Sequence, residues 1–451
     1  MPVLFVLLAA ALATPVQAQQ SPPTIHHDHI EEPAPEQNSD VDQAEAAMGK
    51  KDFATAEALL QKAVDAKPDD YRAWLDLGYI YEKSMRGGKA VDAFRKSIAA
   101  KPDVFESNLD LGILLLQQSK HDEAAKYLKT ATQLKPTAHP EESLFKAWMA
   151  LGWDLMDLNP PEALRAFAEA SKLKPGDPEP HSDAGKTYER NAYRRLGMDG
   201  TTESIFNSAA TEYKAALELD PTSLDALLGL DRIYESQKKY AEAEIWLRKL
   251  VAIQPGYRLY LAKVLAAQGK YDDAEEQLKS QLQDHPGDAS SALELARVYV
   301  RAGKNAEAEQ QFRAVLQSRP QDPEVHFALG SLLMDEKRYP EAQQELIAAI
   351  KLKPDLVDAY GNLAVVAAAN KDYPLALQVL DDRAKIQADT PATYFLRATT
   401  YDNLKNIPQA VEYYKRFLAE DDGKFPDQEW QARHRLIALD PKHADQYRVK
   451  K

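Results

Sequence analysis

The chain has 451 residues, of which 44% are hydrophobic, so it is long enough for a large buried core or a long array of repeats. It contains no cysteine, which excludes disulfides, thiolate metal ligands and a cysteine nucleophile. With 56 Lys and Arg against 70 Asp and Glu, the net charge of −14 argues against nucleic-acid binding, because that binding needs a basic face.

The first residues form a short apolar run, from Met1 to Ala13, followed by Val16 and Ala18 at the two positions that signal peptidase recognises. Residues 1–18 therefore predict a signal peptide, although no Lys or Arg precedes the run. The run is shorter than the roughly 20 residues that span a bilayer, and no later segment is apolar enough. We expect a periplasmic or secreted protein without membrane insertion.

Residues 19–43 are rich in proline and acidic residues and poor in apolar ones, which is typical of a disordered linker. Within it, His26-His27-Asp28-His29 has side chains that bind zinc or nickel. A stretch of this composition has no rigid element to hold metal ligands in place. We therefore expect a solvated linker and no metal site, with weak metal binding as the alternative.

From residue 44 to residue 424 the sequence repeats with a period of 34 residues. Prolines follow Leu- and Ala-rich segments, and five of the eight intervals between them equal 34. Proline cannot continue a helix, because it lacks an amide hydrogen and clashes with the preceding turn. The predicted helix ends lie at Pro68, Pro102, Pro136, Pro175, Pro221, Pro255, Pro286, Pro320 and Pro354.

Each interval contains two apolar runs at helical spacing. They resemble the tetratricopeptide repeat, whose pattern is Trp, Leu, Gly and Tyr in a first helix and Ala, Phe or Tyr, Ala and a closing Pro in a second. The clearest copies are Trp74-Leu77-Gly78-Tyr81-Ala90-Phe94-Pro102, Leu111-Gly112-Ala124-Ala131-Pro136, Trp148-Leu151-Gly152-Ala163-Phe167-Ala170-Pro175 and Leu329-Gly330-Ala342-Ala349-Pro354. The resemblance implies an all-α fold, a right-handed α–α superhelix of about eleven units, with a capping helix and tail at residues 425–451.

Two units exceed the period, with extra residues near 139–144 and 191–204. The second insertion holds helix formers up to Gly197, and Thr201 or Thr202 can cap a new helix. We therefore predict that both helices of this unit are longer by roughly two turns.

No catalytic motif, phosphate-binding loop or zinc-protease motif is found, so we expect no enzyme and no cofactor. In the family, the first helices line a concave groove that binds peptides. The corresponding positions of the early units carry an apolar strip: Leu75, Tyr79, Leu109, Ile113, Leu116, Met149, Trp153 and Met156. Aromatic and Met side chains are typical of peptide-binding surfaces, but several of these residues packing against the neighbouring unit is the alternative. Later units add a basic row that suits carboxylates: Arg232, Lys263, Arg297 and Arg301.

The sequence thus predicts a protein-interaction scaffold or adaptor of the cell envelope that binds a protein or peptide in this groove. Two alternatives remain open. One is a structural subunit of an envelope assembly that uses edge contacts, and the other is a metal-handling protein that uses the His26–His29 cluster. The pattern makes no prediction about the oligomeric state.

Overall fold

The computed structural model describes residues 39–197 and 200–447, which are helical and contain no β-strand. By contact density the chain divides into two compact units, residues 1–239 (unit 1) and 240–451 (unit 2). The predicted signal peptide, the His26–His29 cluster and residues 19–38 of the predicted linker lie outside the described residues. The last residues of that predicted linker, 39–43, lie in the first helix, which begins at Ser39.

Unit 1 is a stack of hairpins in which an odd-numbered first helix is followed by an even-numbered second helix, and α11 is the last first helix of the unit. The helices are α1 (Ser39–Gly49), α2 (Phe53–Ala66), α3 (Tyr71–Lys83), α4 (Gly87–Ala100), α5 (Phe105–Gln117), α6 (His121–Ala131), α7 (Pro140–Leu155), α8 (Pro160–Leu173), α9 (Glu179–Arg194), α10 (Thr202–Leu219) and α11 (Leu224–Ser236). Each helix packs against the next along the chain, so apolar faces too small to be stable alone are buried in series.

Unit 2 continues the same alternation, starting with a second helix. Its helices are α12 (Tyr240–Ile253), α13 (Arg258–Ala267), α14 (Tyr271–Asp284), α15 (Ala289–Arg301), α16 (Asn305–Ser318), α17 (Pro323–Asp335), α18 (Tyr339–Leu352), α19 (Val357–Ala369), α20 (Tyr373–Ile386), α21 (Pro391–Asn403), α22 (Ile407–Glu420), α23 (Pro426–Leu439) and α24 (Ala444–Tyr447). Short 3-10 turns precede α13 and α24. Helix α23 covers the end of the stack by packing on α22 through the fully buried Ala432 and Leu436. The predicted all-α solenoid is confirmed.

Glycines on the first helices explain how closely the two helices of a hairpin approach. A Cβ on Gly78 would lie 2.5 Å from the ring of Phe94, and one on Gly152 would lie 2.4 Å from the ring of Phe167. In unit 2 a Cβ on Gly330 would lie 2.8 Å from the Leu346 side chain. Any larger residue at these positions forces the helices apart, so the repeated glycine is a packing requirement.

An ion pair of one kind joins neighbouring hairpins at four places. In each, the fifth residue of a second helix is a glutamate, and its partner is the cation that precedes the following second helix. The pairs are Glu57–Arg86 (2.6 Å), Glu244–Lys270 (2.6 Å), Glu275–Lys304 (2.8 Å) and Glu309–Arg338 (2.6 Å). Hydrogen bonds from Lys279 and Lys304 lower the pKa of Glu275 to about 2. The same kind of link therefore occurs in both units.

Most turns inside the hairpins of the two units contain a residue in the left-handed backbone conformation, and the α7–α8 turn is an exception. These residues are Lys51, Met85, Ser119, Gly197, Gly269, Gly303, Lys337, Lys371 and Lys405, with φ between 57° and 81°. Glycine takes this conformation without steric cost, yet most turns use another residue. The hairpin geometry therefore imposes the left-handed backbone conformation at this turn position, largely independently of which residue occupies it.

The hairpin of α9 and α10 contains the second predicted insertion. These helices have 16 and 18 residues, against 13 and 14 in α3 and α4. The predicted gain of two turns per helix is wrong, because α9 ends at Arg194 and α10 begins at Thr202, so each helix gains only about one turn. Arg190 Nη1 lies 2.7 Å from Asp157 Oδ2, and Arg194 also contacts Asp157, so the extension is held against the preceding hairpin.

Candidate functional site

The candidate binding surface is the side of the first helices that points away from the second helices, called here the first-helix face. In unit 1, Leu75, Leu109 and Met149 occupy one register position of α3, α5 and α7. Tyr79, Ile113 and Trp153 lie four residues later, and Leu116 and Met156 three residues after that. A spacing of three or four residues keeps these side chains on one side of each helix, so the predicted strip forms the first-helix face of unit 1.

Five of the eight strip residues are buried, with 7% or less of each exposed: Leu75, Leu109, Ile113, Met149 and Met156. They belong to the large apolar cluster of unit 1, as the packing alternative requires. Tyr79, Leu116 and Trp153 are half-buried against the same cluster. In unit 1 the strip is largely core, and whether its residues contact a partner remains a prediction.

Carboxylates lie among these apolar groups. Asp76, Asp110 and Asp183 are each no more than 7% exposed. Asp183 accepts a hydrogen bond from Trp153 Nε1 at 2.5 Å and one from Lys186 Nζ at 3.1 Å. Burial raises the pKa of Asp76 well above its usual range. The first-helix face of unit 1 is therefore both closed and acidic in character.

The first-helix face of unit 2 is built from two rows of residues spaced 34 apart on α13, α15, α17, α19 and α21. The first row is Leu259, Leu293, Phe327, Gly361 and Phe395, and these positions are half-buried. The second row, one helical turn later, is Lys263, Arg297, Ser331, Val365 and Thr399. Lys263, Arg297 and Val365 are exposed, as is Val300 on α15. The register positions that are buried or half-buried in unit 1 are therefore half-buried or exposed in unit 2.

Gly361 makes a notch in the apolar row of unit 2. A Cβ built on Gly361 has no atom within 4 Å, in contrast to Gly330 on α17. Val365, one turn away, is 45% exposed. Beside the notch, Asn362 Nδ2 donates to Ser331 Oγ at 2.9 Å, so these two polar side chains are paired with each other. The notch thus offers apolar surface next to a hydrogen-bonded polar pair.

The predicted basic row divides between the two units. Arg232 lies in unit 1, where Glu189 holds it at 2.7 Å. In unit 2, Arg297 lies 3.5 Å from Glu294, while Lys263 and Arg301 contact only the rings of Tyr260 and Tyr271. Among residues 39–197 and 200–447, neither Lys263 nor Arg301 forms an ion pair. The α13–α15 end of the unit 2 face therefore carries cations available to an acidic ligand.

His121, His181 and His326 occupy separate hairpins, and each pairs with a carboxylate. His121 lies 2.9 Å from Asp154, and His326 lies 2.6 Å from Glu345. Within the described ranges, no group of three His, Asp or Glu side chains is arranged as metal ligands would be. None of the helices in those ranges has the length and hydropathy to cross a bilayer.

The open face of unit 2 was not predicted as a whole from the sequence, which identified only its basic residues. The signal that identifies it is the 34-residue spacing of Gly361 and Val365 with the residues of the other first helices. A glycine in the middle of a helix, at a position where the other first helices of unit 2 in this row have Leu or Phe, indicates a gap on the surface.

Family models of the tetratricopeptide repeat match residues 206–264, 265–332, 327–391 and 391–422. A model of the middle TPR-like domain of cilia and flagella-associated protein 70 matches residues 41–174. No curated protein sequence matches the chain.

Solved structures were also compared. Yeast Tom70 aligns over 90% of this chain and 96% of its own, with 14% identity and a TM-score of 0.39. The APC/C hetero-tetramer Cut9-Hcn1 aligns over 86% and 95%, with 13% identity and a TM-score of 0.38. MamA aligns over 40% and 94%, with 20% identity and a TM-score of 0.33. At these scores the likeness supports no conclusion about function. The repeat models together cover most of the chain, which therefore belongs to the tetratricopeptide-repeat family, whose members generally act as protein-interaction scaffolds and are typically non-catalytic.

Proposed function

We propose that this protein is an exported interaction scaffold of the cell envelope that holds an extended stretch of a partner polypeptide on the first-helix face of unit 2. Export is supported by the apolar run and the small residues in 1–18. The binding site is supported by one observation above all, the exposure of Val365, Val300 and the cations on this face, where the matching residues of unit 1, such as Tyr79, Ile113 and Trp153, are half-buried or buried.

The face suits a peptide because its apolar groups are already fixed in place. Leu293 and Phe327 are half-buried on helices, so they lose little side-chain freedom when a ligand covers them. The cations at α13 and α15 lie at one end of the apolar rows, so the face distinguishes the two ends of a ligand. This arrangement is a groove-type recognition mode, in which apolar contacts give affinity and charge gives orientation.

A photo-crosslinking amino acid at position 365 tests the proposal. In cells that express the protein naturally, we expect it to capture a partner, which mass spectrometry then identifies. The matched control places the same amino acid at Ile386, which is 44% exposed at the C-terminal end of α20. Crosslinks from position 386 alone, with none from 365, would contradict binding on this face.

Edge contacts are the second candidate, and a specific observation favours them. Ile253, Leu352 and Ile386 are 39–44% exposed and end three second helices of unit 2. Apolar side chains at such positions suit a structural subunit that packs by its edge. The crosslinking experiment separates the two candidates, because an edge-bound partner is captured from position 386.

Metal handling through His26–His29 is the third candidate. Because α1 begins at Ser39, deletion of residues 19–38 removes the cluster and leaves every described helix whole. Calorimetric titration of zinc into the full chain and into the deletion variant tests the candidate, and equal heats from the two proteins would eliminate it.

The proposed export is tested separately, by cell fractionation of a tagged full chain.

A further inference from the structure

We propose that the first-helix face of unit 2 binds residues 19–38 of a second copy of this chain, so that the protein associates with itself. This inference rests on the proposed function, since it uses the same face as a peptide-binding surface. It is carried by three properties that the segment and the face share: complementary charge, matched spacing and a low cost of ordering.

The charges are complementary. The segment contains Asp28, Glu31, Glu32 and Glu36 and has no Lys or Arg. On the face, Lys263 and Arg301 form no ion pair with any described residue, and Arg297 has one weak partner, Glu294 at 3.5 Å. Because carboxylates gain most from cations that are not already neutralised, an acidic segment is drawn to α13 and α15.

The other unit is less suited to an acidic segment. On the first-helix face of unit 1, Asp76, Asp110 and Asp183 are buried among apolar side chains, and Lys186 is already paired with Asp183 and Asp225. The choice of unit 2 therefore follows from cations that are available on its face, whereas Lys186 in unit 1 is already neutralised.

The spacing also matches. The notch at Gly361 lies on α19, two first helices beyond the cations of α15. Packed helices lie about 8–10 Å apart, so the two sites are separated by about 16–20 Å. An extended chain rises about 3.3 Å per residue, so about six residues span that distance. In the segment, Ile25 precedes Glu31 by six residues and Glu32 by seven. Ile25 can therefore fill the notch while the glutamates reach Arg297 and Arg301.

The segment is suited to an extended bound form. Pro22, Pro23, Pro33 and Pro35 favour the polyproline conformation, which lowers the entropy lost on binding. When the segment binds a second copy, the place where it binds is not limited by its covalent connection to Ser39 of its own chain. Contact between two different surfaces of the same chain gives head-to-tail association, which continues until a ring closes or the copies run out.

The test uses a fluorescein-labelled peptide of residues 19–38 and the full chain, with binding followed by fluorescence anisotropy. We expect saturable binding that weakens as salt rises. The double variant Lys263→Glu with Arg301→Glu should weaken it by at least about tenfold, and Gly361→Leu, which fills the notch, should weaken it too. The matched control, Lys337→Glu with Lys371→Glu, reverses two exposed lysines at hairpin turns of unit 2 and should change binding less than about twofold.

Sedimentation velocity provides the second measurement. The full chain should associate as concentration rises, and the Lys263→Glu, Arg301→Glu variant should remain monomeric with an unchanged circular-dichroism spectrum. Peptide binding equal in the variant and the control, or a chain that stays monomeric at every concentration, would overturn the inference. If the peptide does not bind while position 365 still crosslinks another polypeptide, this inference fails and the proposed function stands. If neither occurs, both fail.

Discussion

The two units are built from the same helical hairpin, yet their first-helix faces differ. In unit 1 Leu109 and Ile113 are buried, whereas at the matching positions of unit 2 Leu293 is half-buried and Arg297 is exposed. On the other side of the first helices the units agree, since Phe167 and Phe312 are both about 1% exposed. Packing between the two helices of a hairpin is therefore fixed by the repeat, and the opposite side is where the units have diverged.

The largest expected difference between the units comes from truncating their first-helix faces. Leu109→Ala in unit 1 should lower the free energy of unfolding by about 2–5 kcal/mol, because it leaves a cavity in the core. Val365→Ala in unit 2 should change it by less than about 0.5 kcal/mol, since that side chain is 45% exposed. Urea unfolding followed by circular dichroism measures both. Equal losses would show that the two faces are equally packed.

A buried carboxylate in unit 1 should destabilise the fold. Burial, with a contribution from Glu235, raises the pKa of Asp231 to about 8. Its Oδ1 has no hydrogen-bond donor among the described residues. A raised pKa makes folding less favourable as pH rises from about 4 to 8, because the carboxyl ionises in the unfolded chain and must take up a proton when the chain folds. Asp231→Asn should therefore raise stability at pH 8 by about 1–3 kcal/mol.

The comparison for Asp231→Asn is the same variant at pH 4, where the carboxyl is largely neutral and the gain should nearly vanish. Thermal unfolding at pH 4, 6 and 8 checks the trend. A gain that does not depend on pH would show that Asp231 is not the titrating group.

Alanine substitutions at two glycines of neighbouring first helices should change the free energy of unfolding in opposite directions. Gly330→Ala should lower stability by about 1–3 kcal/mol, because the new Cβ would lie 2.8 Å from Leu346. Gly361→Ala meets no atom within 4 Å and replaces glycine within α19, so it should raise stability by up to about 1 kcal/mol. Thermal unfolding of both variants checks the pair, and destabilisation by Gly361→Ala would mean that the notch is already filled.

The smallest expected change in the free energy of unfolding comes from removing one of the ion pairs between hairpins, and it should be similar in both units. Hydrogen bonds from lysines lower the pKa of Glu275 to about 2, and the hydrogen bond from Arg86 lowers the pKa of Glu57. A lowered pKa gives stability that is present above the ordinary value of 4.5 and is lost as pH falls through the folded value. Since the lysines are more than a third exposed, Glu275→Gln should cost less than about 1 kcal/mol at pH 7.

The Glu275→Gln deficit should shrink between pH 4.5 and pH 2, where the native carboxyl becomes protonated. Glu57→Gln in unit 1 should show the same pH dependence as Glu275→Gln in unit 2. Chemical denaturation at pH 7, 4.5 and 3 measures both variants. A deficit that grows on acidification would contradict the assigned ion pair.

Much of the fold could be predicted, because a proline every 34 residues and the Gly and Phe of the hairpin have local physical causes. The position of Gly78 follows from the Phe94 ring that packs on it, and both residues are visible in the sequence. The extra length of α9 and α10 was overestimated, since helix formers up to Gly197 do not show how many residues the connection needs. The start of α1 at Ser39 was missed because Ser39, Asp40 and Asp42 at its beginning resemble the acidic stretch before it.

The binding surface was harder to predict than the fold. Leu75 and Met149 stand at positions that line a groove in related proteins, but residue type does not tell whether neighbouring segments cover the side chain. Exposure is a property of the whole unit, and a repeat pattern reports only the contacts inside one hairpin. Gly361 is different, because the absence of a side chain at a regularly apolar position can be read directly.

The left-handed residues in the hairpin turns bear on how insertions can arise in such a protein. At Lys371 and Lys405 the chain reverses through a strained backbone angle, and both side chains are exposed, outside the core. Extra residues inserted there therefore leave the stacking of the hairpins intact. The connection that contains Gly197 shows such growth, with a longer hairpin still clamped to its neighbour through Asp157. New recognition elements can therefore be added sideways, one turn at a time, without altering the rise of the array.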